Sequence, residues 1–119
     1  MEVQTHQVNE TRIAEVRSDA KIINSIEDGI NLLGDLYYQG FDGIMLHQKD
    51  IVSDFFNLKT GMAGELLQEF SNYRVRLVFI GDFSRYSSKA FQDFVYESNK
   101  HRQINFVGSS AEAIEVLSK

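Results

Sequence analysis

The sequence predicts an α/β fold, with an N-terminal β-hairpin followed by βα units and a five-stranded mixed sheet carrying about four helices. Three observations lead there. The first eighteen residues alternate polar and apolar around Asn9-Glu10-Thr11, which is hairpin patterning. From Gly43 onward, short apolar runs alternate with helix-period segments, which implies parallel strands joined by crossovers. Asn, Ser and Gly then stand where the helices should start and stop.

The hairpin pairs Val3–Val8 with Arg12–Val16. Val3–Val8 is the more polar arm and belongs at an edge. A helix follows from about Ser25 to Gln39, with Ile26, Ile30, Leu33 and Tyr37 on one face. Asn24 or Ser25 can cap it and Gly40 can end it. Gly29 and Gly34 weaken this helix by up to about 1 kcal/mol each relative to alanine. Strand Gly43–His47 leads through a long loop to helix Gly61–Asn72. Strand Arg74–Ile80 leads to helix Ser88–Asn99, whose buried face is read as Phe91, Phe94, Val95 and Ser98. Strand Ile104–Val107 precedes a last helix from Ala111, opened by the capping-box pattern Ser109-Ser-Ala-Glu112.

One sheet face collects Ile44, Leu46, Val75, Leu77, Phe79, Ile104 and Phe106, all apolar. The other holds Met45, His47, Arg76, Val78, Ile80, Asn105 and Val107, a mixed set. Strands buried on both sides read as continuous apolar runs. The expectation is therefore helices mainly on one face, with the mixed face partly open or covered by a second copy of the chain. Homodimer formation through that face or through the edge hairpin follows from it.

At 119 residues the chain is read as one domain, residues 1–119. It has no cysteine, which excludes disulfides, thiolate metal sites and cysteine nucleophiles. No cofactor is called for, and no His/Asp/Glu spacing suggests a metal site. A net charge of -5 argues against nucleic-acid binding. No apolar run approaches the roughly 20 residues that span a bilayer, and the N-terminus lacks signal-peptide patterning, so the expected location is the cytoplasm.

The chemistry-bearing residues gather in the loops that leave the carboxyl ends of the parallel strands, where ligands bind in such sheets. Thr60, flanked by Lys59 and Gly61, stands where the second helix begins. Its plain reading is a cap bonded to local backbone; its sharper reading is a phosphoacceptor. Gly61 and Gly64 do not form a phosphate loop, because Glu65 stands where lysine would be required; close helix–sheet packing is their expected role. His47 could be a general base oriented by Asp50 or Asp54, which would need that hydrogen bond inside a concave pocket. Asp82, Phe83, Arg85 and Ser88 shape a second loop at the same end. Phe55, Phe56 and Phe83 fall in these loops, either tucked over a core edge or forming an apolar docking patch. The basic stretch Asn99-Lys-His-Arg102 falls at the opposite end.

Two resemblances add to this. The stretch Lys59-Thr-Gly-Met-Ala-Gly-Glu-Leu-Leu67, after a strand, resembles the turn and helix of STAS domains, the anti-sigma-factor antagonist fold. So does the ending Ile104-Asn-Phe-Val-Gly-Ser-Ser-Ala-Glu-Ala-Ile-Glu-Val-Leu117. Lys59 stands where those domains commonly carry an acidic residue before the phosphorylated hydroxyl. At finer grain the chain resembles the bacterial domain of unknown function family forty-one-eighty. The blocks Tyr37-Tyr-Gln-Gly40, Asp54-Phe-Phe-Asn-Leu-Lys-Thr-Gly61, Phe70-Ser-Asn-Tyr73, Gly81-Asp-Phe-Ser84 and Phe94-Val-Tyr-Glu-Ser-Asn99 carry that likeness. The unknown-function family carries little biochemistry of its own; with the STAS-like fold, the loop residues are read as a non-enzymatic regulatory or protein–protein interaction module in the bacterial cytoplasm, its partner docking over Phe55–Gly61 and Phe83–Ser88. The alternative is a small-ligand or anion sensor at the same helix N-termini. A hydrolase-like enzyme centred on His47 is the third reading.

Overall fold

The computed structural model describes residues 1–118. Its elements are β1 (Glu2–Val8), β2 (Thr11–Arg17), α1 (Ile26–Tyr38), β3 (Gly43–His47), α2 (Met62–Tyr73), β4 (Arg76–Ile80), α3 (Lys89–Asn99), β5 (Ile104–Val107) and α4 (Ser110–Leu117). The five strands form one sheet in sequence order. β1 and β2 pair antiparallel, with Asn9 in the left-handed region at the turn. All later pairings are parallel, including β3 with β4, as the strand–helix alternation requires. This is an α/β fold with a five-stranded mixed sheet and four helices.

Caps sit where side chains can reach free amides. Ser25 accepts from the Asp28 amide, Ser88 from Phe91 and Ser109 from Glu112. Gly40 takes a positive φ after α1, the expected stop.

The apolar face carries the main core. Ala14, Val16, Ile44, Leu46, Leu77, Phe79 and Phe106 pack against Leu33 and Leu36 of α1, Leu66 and Phe70 of α2, and Phe91 of α3. Phe94 and Val95 are partly buried against this core. Gly29 lets α1 and α2 meet closely: a Cβ there would stand 2.6 Å from both Leu66 methyl carbons.

The mixed face is not open. α4 lies across it, and Ala113 and Leu117 pack on Ile13, Met45, Val78 and Ile80. Met45 and Val78 have no exposed surface. The chain's own last helix thus covers the face expected to need a second copy, and only the edge-hairpin argument for self-association survives. The reason is topological: α4 follows the last strand, so no crossover constrains it to the side of α1–α3.

α1 also departs from its reading. Its buried stripe is Gly29, Leu32, Leu33 and Leu36, rotated from the expected one. Ile30 and Tyr37 are left exposed, at 37% and 43%. α1 carries a wider apolar arc than this fold buries.

Candidate functional site

Four stretches build the carboxyl end of the sheet: the exit of β2, the long β3–α2 loop, the β4–α3 loop, and the short turn from β5 into α4. The β3–α2 loop is not free coil. It winds through three short 3-10 turns, Gln48–Asp50, Ser53–Phe56 and Leu58–Thr60. Gln48 ties it to the β4–α3 loop, donating to the Tyr86 hydroxyl (2.9 Å) and accepting from the Asp82 amide (3.0 Å). From α3, Gln92 donates to the carbonyls of Phe83 and Tyr86.

The loop phenylalanines point inward. Phe55, Phe56 and Phe83 are all buried. Phe56 meets the rings of Phe55, Phe79, Phe83, Tyr86 and Phe91 at centroid distances from 5.2 to 6.0 Å. They clamp the loops onto the sheet and offer no apolar patch, which corrects the docking-surface reading of these rings. Packing explains it: folded back, the rings leave water and meet the core rings of Phe79 and Phe91.

Thr60 is exposed, yet its hydroxyl is engaged with backbone. It lies 3.0 Å from the carbonyl oxygens of both Asp54 and Asn57, to which it can donate, and accepts from the Met62 amide. It serves the start of α2 as a cap would, while standing at the surface beside exposed Lys59. Gly61 has φ 78°, and neither it nor Gly64 has an atom within 4 Å of where a Cβ would be. The packing role expected for both glycines is therefore wrong. Gly61 serves a backbone conformation that L side chains rarely adopt, and Gly64 faces open space.

Asp82, Arg85 and Ser88 are exposed. Hydrogen bonds from the Ser84 hydroxyl and amide hold Asp82 below the usual carboxylate range. Ser88 is spent on its cap. A shallow cleft of about 300 Å³, lined in part by Phe56, Asn57, Arg85 and Ser88, lies between the two loops.

His47 has a carboxylate partner, but neither of the two expected. Asp50 is buried and accepts from Lys49, and Asp54 is exposed. The partner is Glu15. Strand alternation puts Ile13, Glu15 and Arg17 on the α4 side of β2, and the register sets Glu15 opposite Gln4 and Met45. His6 on β1 and His47 on β3 are then its diagonal neighbours. Glu15 is 1% exposed. Its Oε1 accepts from His6 Nε2 (2.8 Å), and its Oε2 from His47 Nε2 (2.8 Å), Arg17 Nη2 (2.7 Å) and the Ser110 hydroxyl (2.8 Å).

Burial alone would raise the Glu15 pKa. The hydrogen bonds from His47, His6, Ser110 and Arg17 outweigh it and hold the pKa at about 2. Glu15 is therefore ionised at neutral pH. A carboxylate only accepts, so both histidines donate through Nε2 and, when neutral, keep their lone pair on Nδ1. His47 also lines a cleft of about 330 Å³ with Met1, Glu2, Arg17, Ser18, Asp19 and Lys49. Chemically, Glu15 fixes an imidazole beside two cations in a concave setting. The signal in the sequence was a lone carboxylate two residues after Ile13 on the mixed side of a strand, Ile13-Ala-Glu15, which becomes interior once β3 pairs with β2 and α4 covers that face.

Far from this end, the outer surface of α1 and α2 exposes Ile30, Tyr37, Tyr38 and Tyr73. The Tyr37 ring lies 4.9 Å from Tyr73 and 5.9 Å from Tyr38. Among the described residues no group of His, Asp and Glu is arranged to hold a metal ion, and no helix is long and apolar enough to cross a membrane.

Comparison with curated proteins and with solved structures returns no match. The family described as "Domain of unknown function (DUF4180)" matches residues 8–117, and the chain belongs to that family.

Proposed function

We propose that this DUF4180 member is a non-enzymatic regulatory module of the bacterial cytoplasm that works by binding a protein partner. One observation carries the reading. Four of the large apolar side chains that the fold leaves exposed, Ile30, Tyr37, Tyr38 and Tyr73, share the α1–α2 surface. Tyrosine gives large, rigid contact area with a polar tip, which is why it is enriched in protein interfaces. With Phe55, Phe56 and Phe83 buried, this surface replaces the carboxyl-end loops as the docking face.

The test is affinity capture from an extract of the native cells, using wild type and Tyr37→Ser/Tyr73→Ser as baits. Both side chains are exposed, so the double variant should keep its melting temperature within a few degrees while losing the partner that wild type retains. Equal capture by both baits would defeat the reading.

A second reading, small-anion sensing, is favoured by the cleft whose lining includes Arg17, His47 and Lys49 alongside Glu2 and Asp19. It predicts that inorganic phosphate or small dicarboxylates raise the melting temperature of wild type in a concentration-dependent way, and not that of Lys49→Ala. Identical shifts in both proteins would count against it.

A further inference from the structure

The surface used above contains a groove whose lining specifies more than a generic partner. It lies between α1 and α2, has a volume of about 390 Å³, and is lined by Ile26, Ile30, Gly64, Glu65, Gln68 and Glu69. The apolar wall comes from α1. The acidic wall comes from α2. No atom stands within 4 Å of a Cβ built at Gly64, so that wall is low and backbone is approachable from outside.

Charge is one-sided here. α1 carries Glu27, Asp28 and Asp35, α2 carries Glu65 and Glu69, and neither helix has a lysine or arginine. Asp28 is used locally, accepting from the Asn24 amide. Glu27, Asp35, Glu65 and Glu69 enter none of the salt bridges among the described residues. Surface helices commonly offset such charges with i,i+4 partners; α3 does so through Lys89 and Asp93.

We infer that the α1–α2 groove takes a cationic amphipathic helix from a protein partner. This rests on the docking face proposed above and gives its occupant a chemistry. Ile26, Ile30 and Tyr37 supply an apolar row about three helical turns long, which suits helix-in-groove binding by residues spaced i, i+4 and i+7. The unpaired carboxylates would meet lysines or arginines at the flanks of that helix. A second copy docking symmetrically through this face would bring the same carboxylates and be repelled. Nucleic acid and anionic lipid would be repelled likewise.

The experiment titrates the isotope-labelled protein with two synthetic leucine–lysine peptides of identical composition, each about four turns long. One places its leucines in a stripe; the other is scrambled to break it. The striped peptide should shift the amides of Ile26, Ile30, Gly34, Gly64 and Glu69, and the scrambled one should bind at least about tenfold more weakly. Glu65→Lys/Glu69→Lys should cost about tenfold in affinity, and added salt should weaken binding. Shifts that map elsewhere, equal binding of both peptides, or an affinity unchanged by the charge reversal would each overturn the inference. Concentration-dependent shifts of the same amides without peptide would overturn it too, assigning the groove to a second copy. If Tyr37→Ser/Tyr73→Ser still abolishes capture of the native partner while the peptide fails to bind, the docking face stands and the cationic-helix chemistry falls.

Discussion

Glu15→Gln is expected to cost about 3–5 kcal/mol and to flatten the protein's response to acid. The substitution keeps the side chain's shape but removes the charge that four donors converge on. One of the two oxygens becomes an NH2 group and faces a histidine or arginine donor instead of accepting from it. Arg17, whose side chain is half exposed, loses its buried counter-charge, and the donor left facing the NH2 group has no acceptor there. Against a typical total stability of about 5–15 kcal/mol, that loss is a large fraction. The pH dependence has a definite sign. The Glu15 pKa is lowered from 4.5 to about 2 in the folded protein. A depressed carboxylate pKa contributes stability that is fully present above the unfolded value and is lost as pH falls through the folded one. The wild type should therefore lose on the order of 3 kcal/mol between about pH 4.5 and pH 2 from this group. Urea unfolding across that window is the measurement. A steep fall in wild type with a flatter one in Glu15→Gln is the expected pair; parallel curves would mean that acid breaks the fold somewhere else.

Why this group escaped a reading of the sequence is a matter of distance along the chain. Its partners lie 9, 32 and 95 residues away, on β1, β3 and α4, and only Arg17 is local. Alternation along β2 places Glu15 beside Ile13, but the neighbours on the flanking strands appear only once register is known. The parallel core was legible for the opposite reason. Runs such as Arg76-Leu-Val-Phe-Ile80 and the capped helices between them are local signals, and their bounds agree with the structure within about two residues. Side-chain direction in loops was not legible. Phe55 and Phe56 sit in a 3-10 turn whose rotation decides whether they point out or in, and nothing in Asp54-Phe-Phe-Asn57 sets that rotation. For α1 the difficulty was excess: Ile26, Ile30 and Tyr37 keep helical spacing as well as Leu32, Leu33 and Leu36 do. Packing against Leu66, permitted by Gly29, selects the leucine stripe. The unselected stripe stays at the surface, with Ile30 and Tyr37 exposed.

Phe79→Ala should be the most damaging truncation in the main core, lowering stability by about 3–5 kcal/mol. Phe79 has no exposed surface. Its ring stacks on Phe106 at 4.9 Å and lies 5.4 Å from Phe55 and 6.0 Å from Phe56. Loss of burial, the cavity left behind, and ring–ring terms of about 0.5–1.5 kcal/mol per pair all act in one direction. For a domain of this size the melting temperature should fall by about 10 °C or more. The damage should also be uneven. Phe55 and Phe56 anchor the turn that presents the Asp54 carbonyl to the Thr60 hydroxyl. With their floor removed, amide exchange should rise across residues 53–60 more than in the β1–β2 hairpin, which shares none of these rings. Phe79→Leu should recover much of the loss, because it refills most of the volume. Phe94→Ala is the internal comparison, since Phe94 is only partly buried at the edge of the same cluster. Equal losses at Phe79 and Phe94, or uniform exchange in Phe79→Ala, would show that the aromatic cluster is not what holds the β3–α2 loop against the sheet. A local rise confined to that loop would show that its three 3-10 turns keep their shape through the rings beneath them.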